Sequence, residues 1–276
     1  MKKHLENFLN YLSIERNSSE NTITSYKNDI MQYLESSEIE YPEQMDKASI
    51  RKFLVEINSL APTTRRRKLS AIRSFMRFLN NEDIIEKNHA LDIDNAKTNK
   101  KLPKVMSIAE TIDMLNSTTD EQDRAILETL YGVGCRVAEL VIIKKSDIDF
   151  ENQRVILFGK GNKERIVPIN KSAIDAINRH LSTRGYESEY IFASRRNPES
   201  PMTTRNARRI VYKYSGGEVH PHMFRHAYAT HLHSRGVDIR VIQELLGHAD
   251  ISTTTIYTSL ANEQMSNAYN LAHPRG

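Results

Sequence analysis

Apolar residues recur at three- and four-residue intervals through the first eighty positions, with no alternating stretch among them, so this region can bury a continuous face only as helices. Leu5, Phe8, Leu9 and Leu12 mark a first helix that stops near Arg16, where Asn17, Ser18 and Ser19 break it. A second carries Ile23, Tyr26, Ile30, Tyr33 and Leu34 behind a serine or Asn21 cap, and a third follows Asp46 with Ile50, Phe53, Leu54 and Ile57. The fourth opens at Ala61-Pro62-Thr63 and buries Leu69, Ile72, Phe75, Met76 and Leu79, while Arg66, Arg73 and Arg77 fall on another face.

Between Ile57 and Asn81 stand six basic residues, Arg65, Arg66, Arg67, Lys68, Arg73 and Arg77, and not one acidic residue. Solvated helix faces generally mix signs, so this run suggests a surface that contacts phosphates. The net charge of +4 does not say so by itself. Residues 1–96 hold 14 basic against 15 acidic residues and the remainder 25 against 20, so nucleic-acid contact has to come from local clusters.

From Asp94 to Val105 the chain is polar, basic and poor in apolar residues, which reads as a linker over 97–105 between a helical domain at 1–96 and a second domain at 106–276. Helices are expected at Ile108 to Leu115, Asp123 to Leu130, Ser172 to Leu181 and Thr203 to Tyr214; the last carries Arg205, Arg208, Arg209 and Lys213 as a second basic face. RVILF and KERIVPI flank a Gly-Lys-Gly-Asn turn as a β-hairpin. The fold class is therefore mainly α with a small β-hairpin or sheet (α+β). One cysteine, Cys135, excludes an internal disulfide, and no apolar run has the length of a signal-peptide core or a membrane span. The expectation is a soluble, cytoplasmic protein with no membrane partner.

Six of the ten histidines fall between His220 and His248. His222 and His226 share a helical face as zinc-binding pairs do, but Arg225 between them repels a cation, and the glutamate a zinc protease needs as general base is absent. An anion site fits better: His222, Arg225 and His248 are donors for a phosphate, and Tyr257, nine residues after His248, is a candidate nucleophile.

PHMFRHAYATHL, LLGH and TTTIYT, in this order, resemble the C-terminal signature of the tyrosine recombinase (integrase) family: H-x-x-R, then L-G-H, then the nucleophilic tyrosine. YGVGCRVAEL resembles that family's T-G-L-R-x-x-E-L box, with Arg136 and Glu139 in place and Cys135 where leucine is usual. GKGNKER resembles its G-K-G-x-K-x-R hairpin, whose first lysine is here Lys160. The resemblance spans the chain and is closest to the family's Xer-type branch; Asn88-His89-Ala90 departs from the common Asn-Pro-Ala.

It implies a helical core-binding domain followed by a catalytic domain that cuts and rejoins DNA through a 3′-phosphotyrosyl intermediate and a Holliday junction. Arg136, Lys160, His222, Arg225, His248 and Tyr257 would be catalytic and Glu139 supporting. Lys163 and Arg165 of the hairpin, with Arg205, Arg208 and Arg209, join the N-terminal cluster as expected DNA contacts. No metal or cofactor is implied. The partners would be double-stranded DNA with inverted-repeat half-sites, a tetramer on two sites with the helix Ala261 to Leu271 reaching a neighbouring protomer, and optionally a paired recombinase or accessory protein. A mobile-element integrase, a type IB topoisomerase-like enzyme and a non-catalytic architectural protein are the rival readings. In that reading Lys160 would act as general acid, protonating the departing 5′-oxygen. Lys160→Ala should therefore lose cleavage of an ordinary phosphodiester and regain it on a substrate with a better 5′ leaving group; failure of that rescue counts against the acid role.

Overall fold

The computed structural model describes residues 1–94, 105–159, 163–247 and 269–275. The chain divides into two compact units, Met1–Leu102 and Pro103–Gly276. As expected, it is mostly helical with one small antiparallel sheet. No helix among the described residues is long and apolar enough to cross a membrane.

The first unit is built on α1 (Lys2–Ile14), α2 (Glu20–Ser36), α3 (Lys47–Glu56) and α4 (Pro62–Asn81). Ser19 and Asp46 cap α2 and α3 by accepting the Thr22 and Ser49 backbone N–H groups, and Pro62 opens α4, where its missing N–H costs nothing. The apolar stripes meet in one core: Phe8, Tyr33, Phe53 and Phe75 are fully buried, with the Phe8 and Phe75 rings 5.2 Å apart. Where His89 stands in place of the common proline, the turn is held by hydrogen bonds of Asn88. Its amide donates to the Arg73 carbonyl and accepts from Ala90 N, while Arg73 Nε donates to the Ala90 carbonyl.

One member of the basic run, Lys68, does not face outward as the sequence suggests. Asp29 of α2 is buried, and Arg67 and Lys68 both bond to its carboxylate; Lys68, only 8% exposed, also donates to Gln32. Lys68 is therefore a core cation rather than a phosphate contact, and Arg67 leans on the same carboxylate. Arg66, Arg67 and Arg77 remain exposed, Arg67 with 46% of its side chain accessible.

In the second unit α5 (Ile108–Asn116) leads to α6 (Glu121–Val133), a central helix buried along nearly its whole length. A five-residue α7 (Val137–Val141) follows, then the sheet, α8 (Lys171–Thr183), α9 (Thr204–Tyr214), α10 (Pro221–Ser234) and α11 (Ile239–Leu246). α8 and α10 both pack on α6, and α9 packs on α7. The sheet runs β1 (Ile148–Asp149), β2 (Arg154–Phe158), β3 (Glu164–Pro168) in that order, with Val155 opposite Val167 and Leu157 opposite Arg165. β1 is too short to leave a periodic signal in sequence. α11 likewise eluded the sequence reading, although the segment it occupies lies inside the C-terminal signature.

Of the expected terminal helix, residues 261–268 lie outside the described residues. Residues 269–272 form a helical turn seated on the same unit: Tyr269, Ala272 and His273 are buried, and the Tyr269 hydroxyl donates to the Gly132 carbonyl. His273 bonds Asn170 and the Tyr131 carbonyl, and Arg275 pairs with buried Glu128.

Removing one partner of a buried ion pair strands the other. Asp29→Ala should cost the N-terminal unit about 3 kcal/mol in urea unfolding of the full chain, against little change for Glu6→Ala on the exposed face of α1.

Candidate active site

The site grows from the end of α6. Gly134 ends that helix at φ +64°, and a Cβ there would lie 2.5 Å from the Tyr228 ring, so only glycine fits both the turn and the neighbour. The turn delivers Arg136 as the N-cap of α7. Glu139, three residues on, closes the cap: its Oε2 accepts the Arg136 backbone N–H at 2.7 Å and its Oε1 the Arg136 Nη1 at 2.8 Å.

Glu139 is 4% exposed and does not stand alone. Arg165 reaches it from β3 with both terminal nitrogens, Nη1 to Oε1 at 2.9 Å and Nη2 to Oε2 at 2.8 Å. Burial pushes the Glu139 carboxyl up, but the hydrogen bonds and charges of Arg165 and Arg136 outweigh it and hold the group down at about 2. It is a carboxylate at any working pH. The expectation that Arg165 contacts DNA is thereby corrected, since its side chain is 13% exposed and fully engaged inside the protein. Arg165 shares its strand face with buried Val167, a period-two signal that could have shown it pointing inward.

Arg225, on α10, is buried. It donates through Nη1 to the Gly134 carbonyl at 2.8 Å and through Nη2 to the Leu246 carbonyl at 2.6 Å. Burial first, and then the charge of Arg136, lower its pKa to about 10. Two guanidinium groups within electrostatic reach, one of them desolvated, favour an anion between them. Arg136 is the accessible partner, with 40% of its side chain exposed. His222 stands one turn before Arg225, exposed, its ring 6.3 Å from that of His220. Its pKa is lowered by desolvation and by the positive charges of His220, Arg225, His226 and Arg136, which favours a neutral imidazole at neutral pH.

The structure thus brings Arg136, Glu139 and Arg225 together, with His222 in electrostatic reach of both arginines, and adds two acceptors that sequence patterns do not advertise, the carbonyls of Gly134 and Leu246. Lys160, His248 and Tyr257 lie outside the described residues. The described flanks lead to them: Gly159 stands at the hairpin, with its added Cβ position 3.9 Å from Glu139 Oε1, and Gly247 closes α11 at φ +64°. Arg205, Arg208 and Arg209 are exposed on α9, and Lys163 is exposed beside β3. Among the described residues, no group of three or more His, Cys, Asp or Glu side chains is placed to hold a metal ion.

Comparison with known proteins gives the family. Residues 97–264 match the phage integrase family and residues 5–83 the phage integrase N-terminal SAM-like domain. Tyrosine recombinase XerC of Listeria welshimeri is 39% identical over 98% of this chain and 97% of its own, and tyrosine recombinase XerD of Chlorobaculum tepidum is 38% identical over 100% and 97%. Among solved structures, XerA recombinase covers 100% of this chain and 99% of its own at 25% identity and a TM-score of 0.51. A lambda integrase dimer bound to a COC′ core site covers 93% and 99% at 19% identity and 0.72, a likeness of fold. The chain belongs to the phage integrase family. Within it, the match to the Xer recombinases over nearly the full length makes this a tyrosine-type site-specific recombinase.

The C-terminal turn offers a pH test of its docking. Burial, ahead of the nearby charges of His231, Arg235 and Arg275, lowers His273 from 6.5 to about 4. A histidine whose docked pKa lies below its free value binds fully above the free pKa and weakens as protons take the undocked form. Docking should be complete above about pH 6.5 and decline towards pH 4. Protection of the His273 amide, which donates to the Tyr269 carbonyl, should fall at least about tenfold between pH 7.5 and pH 5 after correction for intrinsic exchange. Constant protection would mean that the neutral imidazole does not hold the tail.

Proposed function

We propose that Tyr257 is the nucleophile with which this recombinase attacks a DNA phosphodiester, leaving a 3′-phosphotyrosyl link and a free 5′-hydroxyl. The observation that carries the reading is the convergence of Arg136, Glu139 and Arg225 from α7 and α10 at the end of α6, in the electrostatic state an anionic phosphoryl group requires.

A phenol has a pKa near 10, far below that of a sugar hydroxyl, so a tyrosyl phosphate keeps the bond energy and releases it when a 5′-hydroxyl attacks. No external energy source is needed. Charge accumulating on the non-bridging oxygens is met by the forks of Arg136 and Arg225, with His248 as a further donor. Neutral His222 assists removal of the Tyr257 proton, Lys160 supplies the proton to the leaving 5′-oxygen, and Glu139 orients Arg136.

Exchange between two duplexes requires four cuts, so the active assembly is a tetramer on two sites, passing through a Holliday junction. It contains four copies of this chain, or two of it with two of a related recombinase. The biological task that fits an Xer-type chain is resolution of chromosome or plasmid dimers in the cytoplasm. Arg66, Arg67 and Arg77 on α4, Lys163 beside β3, and Arg205, Arg208 and Arg209 on α9 are exposed cations available to the DNA backbone.

Covalent capture tests the reading. The protein is incubated with fragmented genomic DNA in EDTA, denatured in detergent, and the linked DNA sequenced. Adducts that need Tyr257, are lost in Tyr257→Phe while DNA binding persists, and converge on one short inverted-repeat site are expected. Adducts without site preference would favour topoisomerase-like relaxation, and adducts that survive Tyr257→Phe would move the nucleophile elsewhere.

A further inference from the structure

We propose that Arg165 is a positioning residue for strand cleavage: it straps together the three segments that carry Arg136, Lys160 and His248. The inference rests on the reading that these residues, with Arg225 and Tyr257, cleave DNA.

All three nitrogens of the Arg165 guanidinium are used. Nη1 and Nη2 grip Glu139, and Nε donates to the Leu245 carbonyl at 3.2 Å, three residues before His248. Its own strand, β3, begins at Glu164, directly after Lys163. One side chain therefore ties the hairpin, α7 and the end of α11 to each other. A lysine has the charge but a single nitrogen, and cannot make this fork.

The space for it at the end of α11 is made by a glycine, Gly247, whereas Gly159 lies at ordinary contact distance. A Cβ on Gly247 would come within 3.0 Å of Arg165 Cδ, in a residue already at φ +64°, and a Cβ on Gly159 would meet Arg165 Nη1 at 3.8 Å. These are the last described residues before His248 and before Lys160. Arg225 holds the neighbouring Leu246 carbonyl, so the two arginines clamp consecutive carbonyls at the end of α11.

The strap also has an electrostatic role. Glu139 beside Arg136 alone would cancel much of the charge meant for the phosphate. With Arg165 bonded to both oxygens, the carboxylate is neutralised from within the protein, and it still accepts the two Arg136 donors that set that residue's direction. Arg136 is oriented and its field towards the DNA is retained.

The test uses the full chain with a suicide half-site substrate, measuring DNA affinity, the single-turnover cleavage rate at saturating protein, and thermal unfolding, in Arg165→Lys, Glu139→Gln, their double variant and Tyr257→Phe. Arg165→Lys should slow saturated cleavage by about 100-fold, the scale of losing one preorganised donor, with DNA affinity within about threefold. The double variant should be no more than about threefold slower than the slower single one, because both break the same strap. Weaker binding with an unchanged saturated rate would make Arg165 a DNA contact and overturn the proposal, as would unchanged values of both or multiplicative losses in the double variant. Should Arg165→Lys not fold, Glu139→Gln decides by the same split, since it keeps the shape and removes the charge that Arg165 grips. An adduct in Tyr257→Phe would instead overturn the assignment of the nucleophile, independently of Arg165.

Discussion

Everything in the catalytic unit is arranged around one buried carboxylate. Glu139 lies among Arg136, Arg165 and Arg225, and without it three guanidinium groups would share a partly desolvated space with nothing to offset their repulsion. With it, two arginines are tethered to one anion and the third to backbone carbonyls. The result is a cluster that is stable without ligand yet still carries excess positive charge. Such a cluster suits a phosphoryl group, whose arrival adds the negative charge the protein withholds. The same argument explains why the cap of so short a helix as α7 is built from Arg136 and Glu139, with Arg165 braced against them.

α6 is the mechanical counterpart of that electrostatic centre. Its far end supplies the Gly134 carbonyl to Arg225, and its flank receives the C-terminal turn through Gly132, Tyr131 and Glu128. Tyr228, on the same helix as Arg225, packs against Gly134 on one side and against the Tyr269 and His273 rings on another. The tail is therefore separated by one packed side chain, that of Tyr228, from the Gly134 backbone that anchors Arg225. His231, expected only as part of a histidine-rich stretch, turns out to be structural: it bonds the Tyr131 hydroxyl and the Met106 carbonyl inside the core.

The helices of the first unit, their caps and their buried faces could be read directly, because helical periodicity and capping are local properties. The motifs around Arg136, His222 and Arg225 were legible for a related reason: their chemistry fixes residue types at short spacings. Basic residues were harder. The run from Arg65 to Arg77 gave the right face for Arg66 and Arg77 and the wrong one for Lys68, whose partner Asp29 lies 39 residues away on α2. Arg165 was misread for the same reason, since its partners come from α7 and α11.

The sequence by itself determined the helical class of the first unit, the hairpin, the order of the catalytic motifs and the membership that follows from them. Those are set by local periodicity and by residue types that a given chemistry cannot do without. Only the tertiary structure decided which cations are spent inside the protein and which remain for DNA. A charge acquires its role from what it is buried against, and burial is settled when distant segments pack together.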